Sequence, residues 1–340
     1  MREPTVLTII LNYETAQMTV RSLKAALLAM NGIKGAVSVV DNDSQDGSYE
    51  EISQAVQSFA PSDKDRVRVI QSGHNGGFGA GNNVGIRARL PNGDVPDYIY
   101  ILNPDAFPEK DAIKLLLAYL QSNLSVGFAG SRSCNLDGTP HFSAFRFPTI
   151  QSEFEGAAQF GPISRLLKNY TVPLPIPDQT CKVDWLAGAS MMIRQTVIDE
   201  IGLFDETFFL YFEETELCHR AKLAGWPTVY VYESEVAHIG SGSTGLKTCT
   251  RIPAYWLNSR LYYFVKTHGR FYAVFATLAH LSGGVIRQVR CTIQIKPIEG
   301  PSYFLRDLAM HSLRVILNTL RKSRSKTLND TSHLARQDTK

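Results

Sequence analysis

Three places in this sequence carry residues whose types and spacing could do chemistry. The first is Asn103-Pro104-Asp105, directly after the apolar run Tyr98–Leu102. A carboxylate just beyond a buried strand, with a second oxygen donor two residues earlier, suits Mg²⁺ or Mn²⁺. Such hard cations often bind through one or two carboxylates plus substrate phosphates. A turn aspartate capping the helix that starts near Asp111 is the competing account. The second place is Glu213, Glu214 and Glu216, after the aromatic run 208–212. Acids in a first helical turn complement the helix dipole, which accounts for at least one of the three. Two adjacent carboxylates beside Phe and Tyr are costly for structure alone, and partial burial with like-charge proximity raises a carboxyl pKa, as suits a general base. Glu214 is the expected base, and Glu216 is left to the helix. The third is His238, followed by Gly240-Ser-Gly-Ser-Thr244. A lone histidine is more often a hydrogen-bonded core residue, but this loop composition suits closure over phosphates.

The elements that must position these groups alternate along the first half. Apolar runs at 6–13, 36–41, 67–71 and 98–102 read as strands, and helical patterns occupy 15–30, 48–59 and 111–120. Strands alternating with helices imply βαβ units and a largely parallel sheet, whose ligands gather beyond the carboxyl ends of the strands. The four strand ends are polar: Asn12-Tyr13, Asp41 to Gly47, His74 to Asn83 and Asn103 to Asp105. Turn composition explains any one of them. All four together read as one wall of a nucleotide pocket. Residues 135–179 are Pro- and aromatic-rich with little periodicity and read as a loop or lid. Regular structure resumes at 183–193, with a helix over 196–201, a helix ending near Gly225 and a strand over 228–232.

Composition bounds the rest. The chain has 340 residues, 44% hydrophobic and 20% charged, which excludes disordered, collagen-like and disulfide-scaffold classes. Its five cysteines are odd in number and never spaced C-x-x-C, so free thiols in a reducing compartment are expected and no zinc site. The apolar run at the N-terminus is short and reads as a strand, not a signal peptide. A cytoplasmic protein is expected, peripheral on the cytosolic face of the inner membrane. The net charge of +3 conceals a division: residues 1–249 carry 20 Lys and Arg against 28 Asp and Glu, residues 250–340 carry 15 against 4.

Four segments then become specific together. Asn75-Gly-Gly-Phe-Gly-Ala-Gly-Asn-Asn-Val-Gly85, Leu102-Asn-Pro-Asp105, Trp185-Leu-Ala-Gly-Ala189 and the run from Phe209 through Glu213-Glu214-Thr-Glu216 to Arg220, ending in Ala224-Gly-Trp226, resemble bacterial family 2 glycosyltransferases over roughly residues 5–245. Rhamnosyltransferases and galactofuranosyltransferases are the members they look most like. The resemblance implies an α/β GT-A fold, a mostly parallel Rossmann-like sheet flanked by helices. It implies inverting transfer of a sugar from a nucleotide diphosphate sugar to a hydroxyl of a polysaccharide or lipid-linked oligosaccharide. By similarity, Asn12, Asp41, Asn42 and Asp43 hold the base and ribose, while Asn75, Gly76, Phe78 and Asn82 shape the diphosphate and sugar side. Asp105 matches the second acid of the family's metal motif, His238 a metal-ligating histidine and Glu214 the base, with Mg²⁺ or Mn²⁺ as cofactor. The donor it implies is dTDP-rhamnose first, then UDP-galactofuranose, UDP-hexose or GDP-sugars. The sequence departs from the family twice, with Asn103 in place of the first metal-motif acid and Glu where the base is usually Asp. Those departures leave a degenerate carbohydrate-binding or scaffold subunit as the alternative.

Two other classes fit less well. The run Gly77-Phe-Gly79-Ala-Gly81 is not G-x-G-x-x-G and follows the third strand, which argues against a dinucleotide-dependent dehydrogenase. No basic Gly-rich loop follows the first strand, which argues against a nucleotidyltransferase. In domain terms, 1–249 is expected to be the transferase unit, with a nucleotide-sugar half to about 110 and an acceptor and base half to 249. Residues 250–322 are a helical basic extension and 323–340 a disordered tail. The basic, aromatic-interleaved extension suits anionic lipid headgroups. A homo-oligomer contact is its other use, and nucleic acid is the weaker partner beside a sugar-transfer site.

Overall fold

The computed structural model describes residues 2–240, 249–297 and 300–315; the expected tail at 323–340 and the loop from Ser241 to Thr244 lie outside them. Strands are β1 (Thr5–Asn12), β2 (Lys34–Asp41), β3 (Val67–Gln71), β4 (Tyr98–Leu102), β5 (Ala106–Pro108), β6 (Phe128–Cys134), β7 (Ala144–Phe145), β8 (Cys181–Val183), β9 (Trp185–Leu186), β10 (Ser190–Arg194) and β11 (Thr228–His238). Helices are α1 (Ala16–Ala29), α2 (Ser48–Gln57), α3 (Pro61–Lys64), α4 (Phe78–Ala88), α5 (Ala112–Ser122), α6 (Ile150–Ala158), α7 (Gly161–Leu166), α8 (Gln195–Ile201), α9 (Glu213–Leu223), α10 (Ala254–His268) and α11 (Arg270–Ile293). Residues 304–315 are also helical.

The central sheet runs β3-β2-β1-β4-β10-β6-β11-β5, with β8 paired to β11. The first four strands are mutually parallel, β10 is antiparallel between β4 and β6, and β6 is parallel to β11. Every residue of β1 is buried because helices cover both faces. Its alternating side chains feed two cores: Val6 and Ile10 with Leu23, Met30 and Leu116, against Leu7, Ile9 and Leu11 with Ile99, Ile101 and Met191. A third cluster joins Phe208 to Tyr263, Phe264, Ala273 and Ala276.

Three segments differ from the sequence expectation. The Gly-rich run after β3 is not wholly a loop, since from Phe78 onward it is α4. Glycine is a poor helix former; here absent side chains let α4 lie on β1, where a Cβ at Gly85 would stand 2.7 Å from Ile9 Cγ2. The segment 135–179, read as loop, contains α6, entered through a Thr149–Ser152 capping box. β11 runs past Tyr232, through an irregularity between Val231 and Glu235, to His238.

α6 packs on α11 around a buried ion cluster. Glu153 Oε2 accepts from Arg260 Nη2 at 2.6 Å and lies 2.6 Å from His280 Nδ1. Burial by itself raises the Glu153 carboxyl, but the Arg260 guanidinium and the His280 imidazole outweigh it and hold the group at about 2, against an ordinary 4.5. A depressed carboxyl stabilises the fold fully above its unfolded value and loses that contribution as pH falls through its folded value. Glu153 therefore contributes on the order of 3 kcal/mol at neutral pH that fades between about pH 4.5 and 2. Urea unfolding at pH 7 and pH 3 checks this: the wild type declines steeply, and Glu153→Gln, already without the ion pair, declines less.

Candidate active site

The carboxyl ends of β1, β2 and β4 open onto a cavity of about 420 Å³, walled by Leu11, Asn42, Asn75, Phe78, Asn103, Pro104, Glu213 and Glu214 among others. Its geometry begins at Gly77, whose φ of +88° favours glycine. A Cβ there would stand 1.7 Å from the Phe209 carbonyl oxygen, and the next residue, Phe78, donates its N–H to that same oxygen at 2.9 Å. This contact clamps the Gly-rich run to the aromatic run before α9. Gly77→Ala is expected to cost on the order of 2–3 kcal/mol in denaturant unfolding, and to weaken ligand binding in the cavity with it.

The strand-end residues divide into two layers. Asn12 and Asp41 are fully buried and bonded to each other, Asn12 Nδ2 donating to Asp41 Oδ1 at 2.7 Å, while Asp41 Oδ2 accepts from the Ser44 N–H at 3.1 Å. They do not line the cavity and act as its framework. Asn42 does line it. Its Nδ2 donates to Asn75 Oδ1 at 3.0 Å, and its buried Oδ1 has no hydrogen-bond partner. Asp43 sits at φ +61° and is not among the residues lining the cavity, its carboxylate accepting from Gln45. Gly76 precedes Gly77 in the clamp. Asn82 is fully buried within α4, donating to the Phe78 carbonyl at 2.9 Å, and also stays out of the cavity.

Glu213 and Glu214 enter from the start of α9. The two residues before them, Tyr211 (φ +70°) and Phe212 (φ +71°), are left-handed although neither is glycine. Such strain costs on the order of 1 kcal/mol or more each and persists where packing over-determines it. Here Phe212 packs on Trp256 and Tyr263, and Tyr211 stacks on Tyr255. Glu214 Oε1 accepts the Gly188 N–H at 3.2 Å, and a Cβ at Gly188 would stand 2.9 Å from that oxygen. The Trp185-Leu-Ala-Gly188 segment thus supplies the backbone donor that orients Glu214. Burial raises both carboxyls; Glu213 rises further, because it is nearly solvent-free, faces the Glu214 charge and has an oxygen with no partner. When the pair shares one proton, the deeper burial and unpartnered oxygen of Glu213 favour it there and leave the charge on Glu214. Glu216 turns away, ion-paired to Arg220 and Lys266, each at 2.7 Å.

Asp105 and His238 are 133 residues apart and meet because β5 pairs antiparallel with β11, setting His238 opposite Ala106. His238 Nε2 lies 3.2 Å from Asp105 Oδ1, and Asp105 is 1% exposed. Two ligands at about 2.1 Å on one octahedral cation stand about 3 Å apart, so this separation fits a shared divalent ion. Asn103, two residues before Asp105 at the end of β4, has a buried Oδ1 with no hydrogen-bond partner. Among the described residues no group of three His, Cys, Asp or Glu gathers that could hold a metal. The pair offers two ligands, and a cation bound there would take the rest from solvent or a phosphate-bearing substrate.

Tyr13, Phe209 and Tyr211, read in the sequence only as parts of a strand end and an aromatic run, line the cavity, and so does Tyr255 from α10, in the basic segment, which carried no such signal. An aromatic-rich stretch announces packing but not which ring faces a ligand.

A family model described as glycosyltransferase-like family 2 matches residues 4–253. Over 229 residues the chain is 30% identical to N-acetylglucosaminyl-diphospho-decaprenol L-rhamnosyltransferase of Mycobacterium tuberculosis, covering 65% of this chain and 71% of that protein. It is 28% identical over 170 residues to rhamnosyltransferase WbbL of Escherichia coli, covering 48% of this chain and 60% of WbbL. Its fold is similar to that of the mannosyltransferase PcManGT of Pyrobaculum calidifontis, solved with GDP-Man and Mn²⁺, with a TM-score of 0.53 at 13% identity over 96% of this chain and 84% of that one.

Proposed function

The chain belongs to glycosyltransferase family 2, and from that premise we propose that it moves rhamnose from dTDP-rhamnose to a hydroxyl of a polysaccharide or lipid-linked oligosaccharide, inverting the anomeric carbon. Its fold is the α/β GT-A arrangement that the sequence resemblance implies. One observation carries the reading: a single cavity is walled both by Asn103-Pro104, the two residues that precede Asp105 in the chain, and by a backbone-anchored Glu214. The two rhamnosyltransferase relatives favour rhamnose as the sugar.

The residues act as follows. Asn42 Oδ1, lacking a partner, accepts from an N–H of the nucleobase, held in place by Asn75. The Phe78 ring and the Gly77 clamp shape the diphosphate and sugar side. Asp105 and His238, with Asn103, would hold a divalent cation, which when bound would offset the negative charge of the diphosphate leaving group as a Lewis acid. Glu214 takes the acceptor proton as that oxygen attacks the anomeric carbon from the face opposite the diphosphate. One base and one displacement give inversion. Glu213, protonated, keeps a second negative charge away from the attacking oxygen.

A thermal-shift panel tests the reading. With Mn²⁺, dTDP and dTDP-rhamnose are expected to raise the melting temperature by several degrees, because saturating ligand adds on the order of 2–3 kcal/mol. Without a divalent cation the shift largely disappears. No metal-dependent stabilisation by any sugar nucleotide would remove the donor site.

A further inference from the structure

Helix α11 is inside out. The surface it buries carries small residues: Gly283 against α6, where a Cβ would stand 2.4 Å from the Phe154 carbonyl oxygen, Gly284 against Leu305, and Ala273 and Ala276 in the cluster with Tyr263 and Phe264 of α10. Its large apolar residues point outward instead. Phe271, Phe275, Leu278, Val285, Val289 and Ile293 are all exposed, Phe271 by 86%. They recur every three, four or seven residues, so at about 100° per residue they form one stripe along a helix about 36 Å long. The stripe continues sideways into an apolar groove shared with Leu261, Leu313 and Val315. Water would not sustain such a face without an occupant.

We propose that α11 docks in the plane of an anionic lipid bilayer, its apolar stripe among the acyl chains and its basic residues on the headgroups. Charge selects this occupant. α11 contains no Asp or Glu, and Arg270 and Arg290 fall about 100° to either side of Phe271 around the helix, at the two rims of the stripe. Lys296 and Arg314 lie exposed beyond its end and beside the groove. The segment 250–340, carrying 15 Lys and Arg against 4 Asp and Glu, would meet like charge in a second copy of itself and opposite charge in an anionic membrane. No helix among the described residues is long and apolar enough to cross a membrane, so an interfacial position is the one this stripe fits. The inference does not depend on which sugar is transferred.

Co-sedimentation of the full chain with vesicles tests it. The wild type is expected to bind phosphatidylglycerol–phosphatidylcholine vesicles and to bind phosphatidylcholine alone much more weakly. Phe275→Glu combined with Leu278→Glu is expected to reduce binding by about tenfold or more, with unchanged melting temperature, since both positions are exposed. Arg270→Glu reduces binding to the anionic vesicles alone. Wild-type binding retained by the double variant overturns the proposal. So does a wild type that binds no vesicle but forms a dimer which the same substitutions dissociate, in which case the stripe is a seam between copies.

Discussion

Glu214→Gln is expected to lower kcat for sugar transfer by about three orders of magnitude, while Glu213→Gln stays within about threefold of the wild type at neutral pH. The asymmetry follows from the environments of two adjacent, chemically identical side chains. Glu214 takes a hydrogen bond from the Gly188 N–H, which favours its charged form; Glu213 is more deeply buried, with one oxygen unpartnered. Their shared proton therefore resides on Glu213. A neutral amide at 213 resembles what is already there, whereas one at 214 removes the base. The pH profile carries the same sign. The base works as a carboxylate, so kcat/KM rises with pH through its pKa, and burial sets that rise above the ordinary value of 4.5. Glu213→Gln leaves this acid limb in place, since the amide keeps position 213 uncharged and Glu214 as the base. If Glu213→Gln instead abolishes transfer and Glu214→Gln spares it, the base is Glu213.

Asp105→Ala is expected to cut kcat/KM by about 10²-fold or more and to erase its dependence on Mn²⁺ concentration. Asp105 is the acidic member of the proposed metal pair, and the neutral Asn103 cannot replace its charge. His238→Ala is expected to raise the Mn²⁺ concentration for half-maximal rate while leaving saturating activity closer to the wild type, because the carboxylate remains. Titration of the rate with Mn²⁺ for the three proteins reads both effects. A wild-type Mn²⁺ response in Asp105→Ala would separate the Asp105–His238 pair from the metal.

The parallel half of the sheet was legible because a buried parallel strand is a short apolar run ending in polar turn residues, as at Leu11-Asn12 and Leu102-Asn103. α4 was not, since glycines argue against a helix until β1 is there to be approached at Gly85. α6 was missed for a similar reason: its small face has meaning only against α11, more than 100 residues later. Within the site, Glu214 could be singled out from its neighbours alone, and so could Asp105 beyond its strand. Their partners could not. The β5–β11 register that brings His238 to Asp105, the Gly188 N–H on Glu214 and the Tyr255 wall are all long-range consequences of strand pairing and packing. The sequence alone reached His238 as a ligand only through family resemblance.

In the proposed mechanism the labour is divided, with the donor diphosphate held beside the Asp105–His238 pair and the acceptor proton removed at Glu214. Calorimetric titration of dTDP-rhamnose in the presence of Mn²⁺, into wild type, Glu214→Gln and Asp105→Ala, tests it most directly. Glu214→Gln is expected to bind with wild-type affinity and Asp105→Ala about tenfold or more weakly. Undiminished, Mn²⁺-dependent binding by Asp105→Ala would contradict it.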